Sequence, residues 1–109
     1  MPTRVAIPMT EKQFLAQVRE LAHLYGWLFY HTHDSRHSPA GFPDCVLAKA
    51  GTAHHPARLI VAELKSATGK LTDTQVQWLT TLGQVAETVE AYVWRPADFD
   101  SIVACLSRQ

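Results

Sequence analysis

The chain predicts an α/β fold, a mixed β-sheet flanked by helices in the order α-β-β-β-α-β-α. Three observations carry that prediction. Three segments repeat apolar residues at helical spacing, and two of them open on a Thr-x-x-Gln cap. Four short runs of apolar, aromatic and β-branched residues are set apart by Gly and Pro. The second and third runs are joined by a short segment broken at Gly51 and Pro56, which suits a hairpin better than a crossover helix. A sheet covered by helices is the layered solution that buries all of these stripes.

Residues 1–9 read as an arm. Thr10-x-x-Gln13 then opens a helix, with Glu11 in the first turn where the helix dipole favours an acid. Phe14, Val18, Leu21, Ala22 and Tyr25 form its apolar face, and Gly26 is placed to stop it. The aromatic run Trp27 to His33 reads as the first strand. A polar loop, Asp34 to Pro43, leads to the second strand, Cys45 to Ala48. Lys49 to Pro56 connects it to the third, Arg58 to Ala62. After the Gly69 loop, Thr72-x-x-Gln75 caps a second helix that buries Val76, Leu79 and Leu82 and weakens at Gly83. Thr88 to Trp94 is the fourth strand, with Val89, Ala91 and Val93 on one face and Glu90, Tyr92 and Trp94 on the other. Pro96 breaks it. A last helix starts at Ala97 or Asp98, runs to Leu106 and buries Phe99, Ile102, Val103 and Leu106.

The 109 residues suffice for one domain over 1–109 with one modest core, and 47% hydrophobic content makes the chain globular. Ten basic and ten acidic side chains cancel, which argues against a large, tight, non-specific nucleic-acid footprint. A bound cation would add local positive charge, and six histidines would add more below neutral pH. Cys45 and Cys105 sit in apolar runs and read as core residues, not as a disulfide or a zinc pair. No apolar run approaches the ~20 residues that span a bilayer, so no membrane partner is expected. No signal peptide is visible, and the cytoplasm is the expected location.

The chemistry gathers around Gly41-Phe42-Pro43-Asp44 and Glu63-Leu64-Lys65. Asp44 opens one strand, and Glu63 and Lys65 close the next. Two residues apart, Glu63 and Lys65 share a strand face. If the strands pair as neighbours, two carboxylates and an amine converge. Two anions repel, and a partly buried charge needs a partner. A hard divalent cation such as Mg²⁺ or Mn²⁺, which takes oxygen ligands, resolves that conflict. Held by Asp44 and Glu63, it would polarise a phosphate and acidify a water, while Lys65 would orient that water. The bland alternative is a strand-start cap at Asp44 with solvated edge charges at Glu63 and Lys65.

Pro43-Asp44 followed by Glu63-Leu64-Lys65 resembles the motif of the PD-(D/E)XK nucleases. Gly41 to Asp44, Glu63 to Lys65 and Gly69-Lys70-Leu71-Thr72-x-x-Gln75 together resemble the VRR-NUC (virus-type replication-repair nuclease) branch, over about Thr10 to Trp94. The resemblance implies a restriction-endonuclease-like fold and a metal-dependent endonuclease that hydrolyses DNA phosphodiester bonds. It implies selectivity for junctions, flaps or nicks in replication, repair or recombination, in a bacterial or phage setting. It implies the Leu64 backbone carbonyl as a further metal ligand, Glu11 on the first helix completing the shell and Gln75 near the reacting phosphate. Relatives that resolve branched DNA act as symmetric dimers, so DNA and a second copy are the expected partners. The alternative is a non-catalytic nucleic-acid-binding or assembly module with the same fold.

Other residues are candidates for the same site. Glu11 is otherwise a dipole-favoured surface acid, and Gln75 a capping-box partner. Arg36, Ser38 and Lys70 lie in loops flanking the acids and are candidates for nucleic-acid binding. His31 and His33 share a strand face and could line the cleft. Trp27, Trp78 and Trp94 suit base stacking or packing.

Overall fold

The structure is a computed structural model and describes residues 9–32 and 38–109. Its order is helix α1 (Glu11–Leu24), strands β1 (Leu28–His31), β2 (Cys45–Lys49) and β3 (Arg58–Leu64), helix α2 (Asp73–Val85), strand β4 (Val89–Trp94), a 3-10 turn (Pro96–Asp98) and helix α3 (Phe99–Ser107). The predicted α-β-β-β-α-β-α order holds. The arm at 1–8, His33 and Arg36 lie outside the described residues.

The four strands form one sheet in the order β1-β2-β3-β4. β1, β2 and β3 run antiparallel, and β4 lies parallel to β3. The β2–β3 connection is the expected hairpin. β4 comes parallel because α2 intervenes and carries the chain back to the starting end of the sheet.

Both helix starts form as their sequences dictate. The Thr10 hydroxyl accepts the Gln13 N–H at 3.1 Å and the Gln13 side chain accepts the Thr10 N–H at 3.0 Å. Thr72 and Gln75 repeat the exchange at 3.2 and 2.9 Å. Gly26, with φ +81°, ends the turn after α1 in a backbone region that side-chain-bearing residues rarely adopt.

Register assigns the two faces of the sheet. Phe29, Leu47, Ile60 and Glu90 are cross-strand neighbours on the face toward α1 and α3. There Phe14, Val18, Leu47, Ile60, Ala62, Trp94, Ile102 and Leu106 close the core. On the other face Leu28, Ala48, Leu59 and Val89 line up, as do Tyr30, Val46, Val61 and Ala91. α2 packs over β3 and β4 on that side. Leu28, Tyr30 and Leu59 remain exposed beyond it.

Three expectations change. Trp27 stands outside β1: it is buried and its indole N–H donates to the Leu106 carbonyl at 2.9 Å, so tertiary bonding overrides strand pairing. β3 runs on through Leu64, because parallel pairing with β4 reaches Trp94. Val76 is exposed while Leu79 is buried, because α2 covers only two strands and Val76 lies at the flank of the stripe that Gln75, Leu79 and Leu82 turn inward.

At the end of the sheet where β2 stops and β3 begins, Arg58 ties the layers together. Its Nε and Nη2 donate to the two Glu90 oxygens at 2.9 and 2.8 Å, and its Nη1 donates to the Cys105 and Arg108 carbonyls at 3.0 and 2.9 Å. The guanidinium also lies over the Trp27 ring, 4.9 Å from its centre.

Candidate active site

The opposite end of the sheet collects the acidic motif. β1 finishes there, β2 begins, and β3 and β4 finish. Cys45 pairs with Ala62, so one step further along the antiparallel ladder Asp44 faces Glu63. The Asp44 carbonyl accepts the Thr32 N–H at 3.1 Å, which prolongs the pairing with β1. The Asp44 Oδ2 accepts the Leu64 N–H at 2.9 Å. In a strand, the N–H and C=O of one residue leave by the same edge. The Leu64 carbonyl therefore also points toward the Asp44 side, while the Lys65 N–H turns the other way and donates to the Trp94 carbonyl at 3.0 Å.

Gly41 allows this approach. Its φ of +99° suits glycine, and a Cβ there would collide with Thr74 on the first turn of α2. Phe42 follows and meets Trp78 of α2 edge to face, with ring centres 5.2 Å apart. The loop that ends in Asp44 is thus seated on α2. That contact gives Trp78 a packing role.

Glu63 is the one buried charged side chain among the described residues, 3% exposed. Its Oε1 accepts from the Gln75 amide Nε2 at 3.1 Å and lies 3.8 Å from the Lys65 Nζ. Its Oε2 is buried with no hydrogen-bond partner. Burial, first, and then the neighbouring Asp44 carboxyl push the Glu63 acid up from 4.5 to about 8. The pull of Lys65 opposes the shift and is outweighed, since 3.8 Å is a loose ion pair. The same field reaches Cys45, whose thiol is driven upward by burial and then by Asp44 and Glu63.

These residues fit a hard divalent cation. The donors are oxygens, two carboxylates face one another, and Glu63 Oε2 accepts no hydrogen bond, an arrangement that costs free energy until a proton, as the raised Glu63 acid shows, or a cation bridges the pair. Among the described residues no three His, Cys, Asp or Glu side chains gather as one ligand group. Glu11 instead stands in the wall of a cavity of about 180 Å³ that it shares with Lys12, Leu15, His31, Thr32, Asp44 and Leu64. An exposed acid at a helix start has no reason to close on two others while their charge is uncompensated.

Gln75 makes two contacts at once. Its Oε1 accepts the Thr72 N–H in the cap, and its Nε2 reaches Glu63. Ser38 and Lys70 are exposed at the loops flanking the acids. His31 lines the cavity beside Asp44, as does Lys12, which spacing alone did not single out.

No curated protein matches the chain. Among solved structures, the Holliday junction resolvase Hjc of Archaeoglobus fulgidus is similar at a TM-score of 0.49 and 22% identity, over 79% of this chain. The match covers 65% of that protein's length. The VRR-NUC domain model matches residues 5–95, a span that holds Glu11, Asp44, Glu63, Leu64, Lys65 and Gln75. With most of its length matched, the chain belongs to the VRR-NUC domain family.

Proposed function

We propose that this protein is a Mg²⁺- or Mn²⁺-dependent deoxyribonuclease that hydrolyses phosphodiester bonds within branched or interrupted DNA. The observation that carries the reading is the buried, unpartnered Oε2 of Glu63 opposite Asp44. Family membership supports a DNA-cleaving hydrolase. Asp44, Glu63 and the Leu64 carbonyl would hold the ion, with Glu11 completing the shell from the cavity wall. A divalent ion there supplies Lewis acidity toward the phosphate and a water acidified for attack.

The side chains around it have distinct tasks. Gln75 holds Glu63 Oε1, which leaves Oε2 free for the ion. Lys65 orients the attacking water and offsets charge that grows on the phosphate oxygens in the transition state. Ser38 and Lys70 contact the DNA backbone from the loops flanking the acids, Lys70 as a cation, and Arg36 is given the same task from its place in the sequence.

A homodimer is part of the proposal. The exposed apolar side chains Leu28, Tyr30 and Leu59, outside the cover of α2, support a face that pairs with a second copy. Two sites would then address two strands.

The test is a cleavage assay on four-way junctions, flaps, nicked and linear duplexes with Mg²⁺, Mn²⁺ or EDTA. Cleavage of branched DNA that disappears in EDTA and in Glu63→Ala is expected. Cleavage retained by pure Glu63→Ala protein overturns the assignment. DNA binding without any cleavage favours the non-catalytic module. Sedimentation of the wild type and of Tyr30→Glu tests the dimer.

A further inference from the structure

We propose that Arg95 is a positioning residue for Lys65, acting through the loop that joins β3 to α2; the inference rests on the nuclease reading above. Arg95 follows the last residue of β4. Its Nη1 donates to the carbonyls of Ser66 and Gly69, both at 2.7 Å. Its own N–H donates to Asp98 Oδ2 at 2.9 Å, and the carbonyl just before it, on Trp94, accepts the Lys65 N–H at 3.0 Å. One short stretch of chain therefore grips the β3–α2 loop at Lys65, Ser66 and Gly69.

The loop in turn supports the Lys65 side chain. Ser66 Oγ accepts the Gly69 N–H at 3.0 Å, closing a tight turn. A Cβ at Gly69 would lie 3.5 Å from Lys65 Cδ, an ordinary van der Waals distance, so the aliphatic stem of Lys65 passes alongside Gly69. At the end of that stem Nζ sits 3.8 Å from Glu63 Oε1. The line of contact runs from the Arg95 guanidinium through Gly69 to the amine beside the acidic pair. Among the described residues the Arg95 guanidinium has no carboxylate partner, so its donors are given to loop carbonyls and not to an ion pair.

The test compares wild type, Arg95→Ala and Arg95→Lys, each checked as folded by circular dichroism. Misplacing one catalytic group by about an ångström lowers turnover on the order of 10- to 100-fold. Arg95→Ala should show that loss in kcat, with KM for DNA and Mn²⁺ affinity unchanged, because the acidic pair is intact. Arg95→Lys should recover part of it. Amide exchange at Gly69 should accelerate in Arg95→Ala. Wild-type kcat in Arg95→Ala, or unchanged Gly69 exchange, overturns the inference. If the wild type cleaves no DNA, the nuclease reading falls on its own, and the exchange result still decides whether Arg95 holds the loop. If Arg95→Ala does not fold, the same two readouts on Arg95→Lys decide it.

Discussion

Replacing Glu63 by Gln should remove cleavage and, in the absence of metal, stabilise the protein at alkaline pH. The wild-type carboxyl is buried and its acid is held at about 8, against 4.5 for an ordinary glutamate. Between those values the folded state keeps a proton that the unfolded chain has released. Stability then falls by about 1.4 kcal/mol per pH unit as pH rises from 4.5 to about 8. Across the whole window the loss is on the order of 5 kcal/mol at most, and relaxation around the pair brings the expected value to about 3 kcal/mol. Glutamine does not titrate, still accepts from Gln75 and can donate to Asp44. Urea unfolding in EDTA, followed by tryptophan fluorescence, measures both proteins at pH 5.0 and 8.5. The variant should match the wild type within about 1 kcal/mol at the lower pH and exceed it by about 3 kcal/mol at the higher. Other titrations cancel in the difference. A gap between the two proteins that does not change with pH refutes the argument, since Glu63 would then be an ordinary carboxylate.

Three further outcomes are expected. Mn²⁺ binding at pH 7 should release close to one proton per site and fewer at pH 9, because the ion displaces the proton that Glu63 carries; calorimetry in buffers of different ionisation enthalpy counts them. Gly41→Ala should cost about 2 kcal/mol or more and weaken Mn²⁺ binding, since a positive φ and contact with Thr74 both oppose a Cβ and the loop carries Asp44; thermal melting and metal titration check it. Arg58→Met should lower stability by about 2–3 kcal/mol, since Glu90 loses its two-point partner and keeps only Tyr92 and Arg108, with the acidic end of the sheet unaffected. Burial raises the Glu90 acid, and the bonds from Arg58 and then Tyr92 outweigh it and hold the acid below its usual range, so in the wild type that contribution is present above 4.5 and fades as pH falls, and a urea series at pH 7 and pH 3 should show the penalty of Arg58→Met shrinking in acid.

What was legible in the chain depended on how local its physics is. Thr10 and Thr72 announce their helices because a cap is satisfied within four residues. Asp44 and Glu63 could be brought together in advance because a hairpin fixes antiparallel register. Trp27 could not be placed, since its indole is claimed by Leu106, far along the chain. Val76 has the spacing of a buried residue, and only the width of the sheet under α2 decides otherwise. The role of Arg95 leaves no trace in periodicity, because gripping loop carbonyls belongs to no repeat. Glu11 was visible as an acid in the right turn, and what the folded chain adds is the cavity it shares with Asp44.

The Arg58 crosslink has a consequence for how this protein can change. It welds two strands, the closing helix and an indole at the rim remote from the acids. Mechanical integrity and reactivity are therefore housed at opposite poles of one short sheet. Substitutions around the acids can accumulate at one pole while the other keeps the frame assembled.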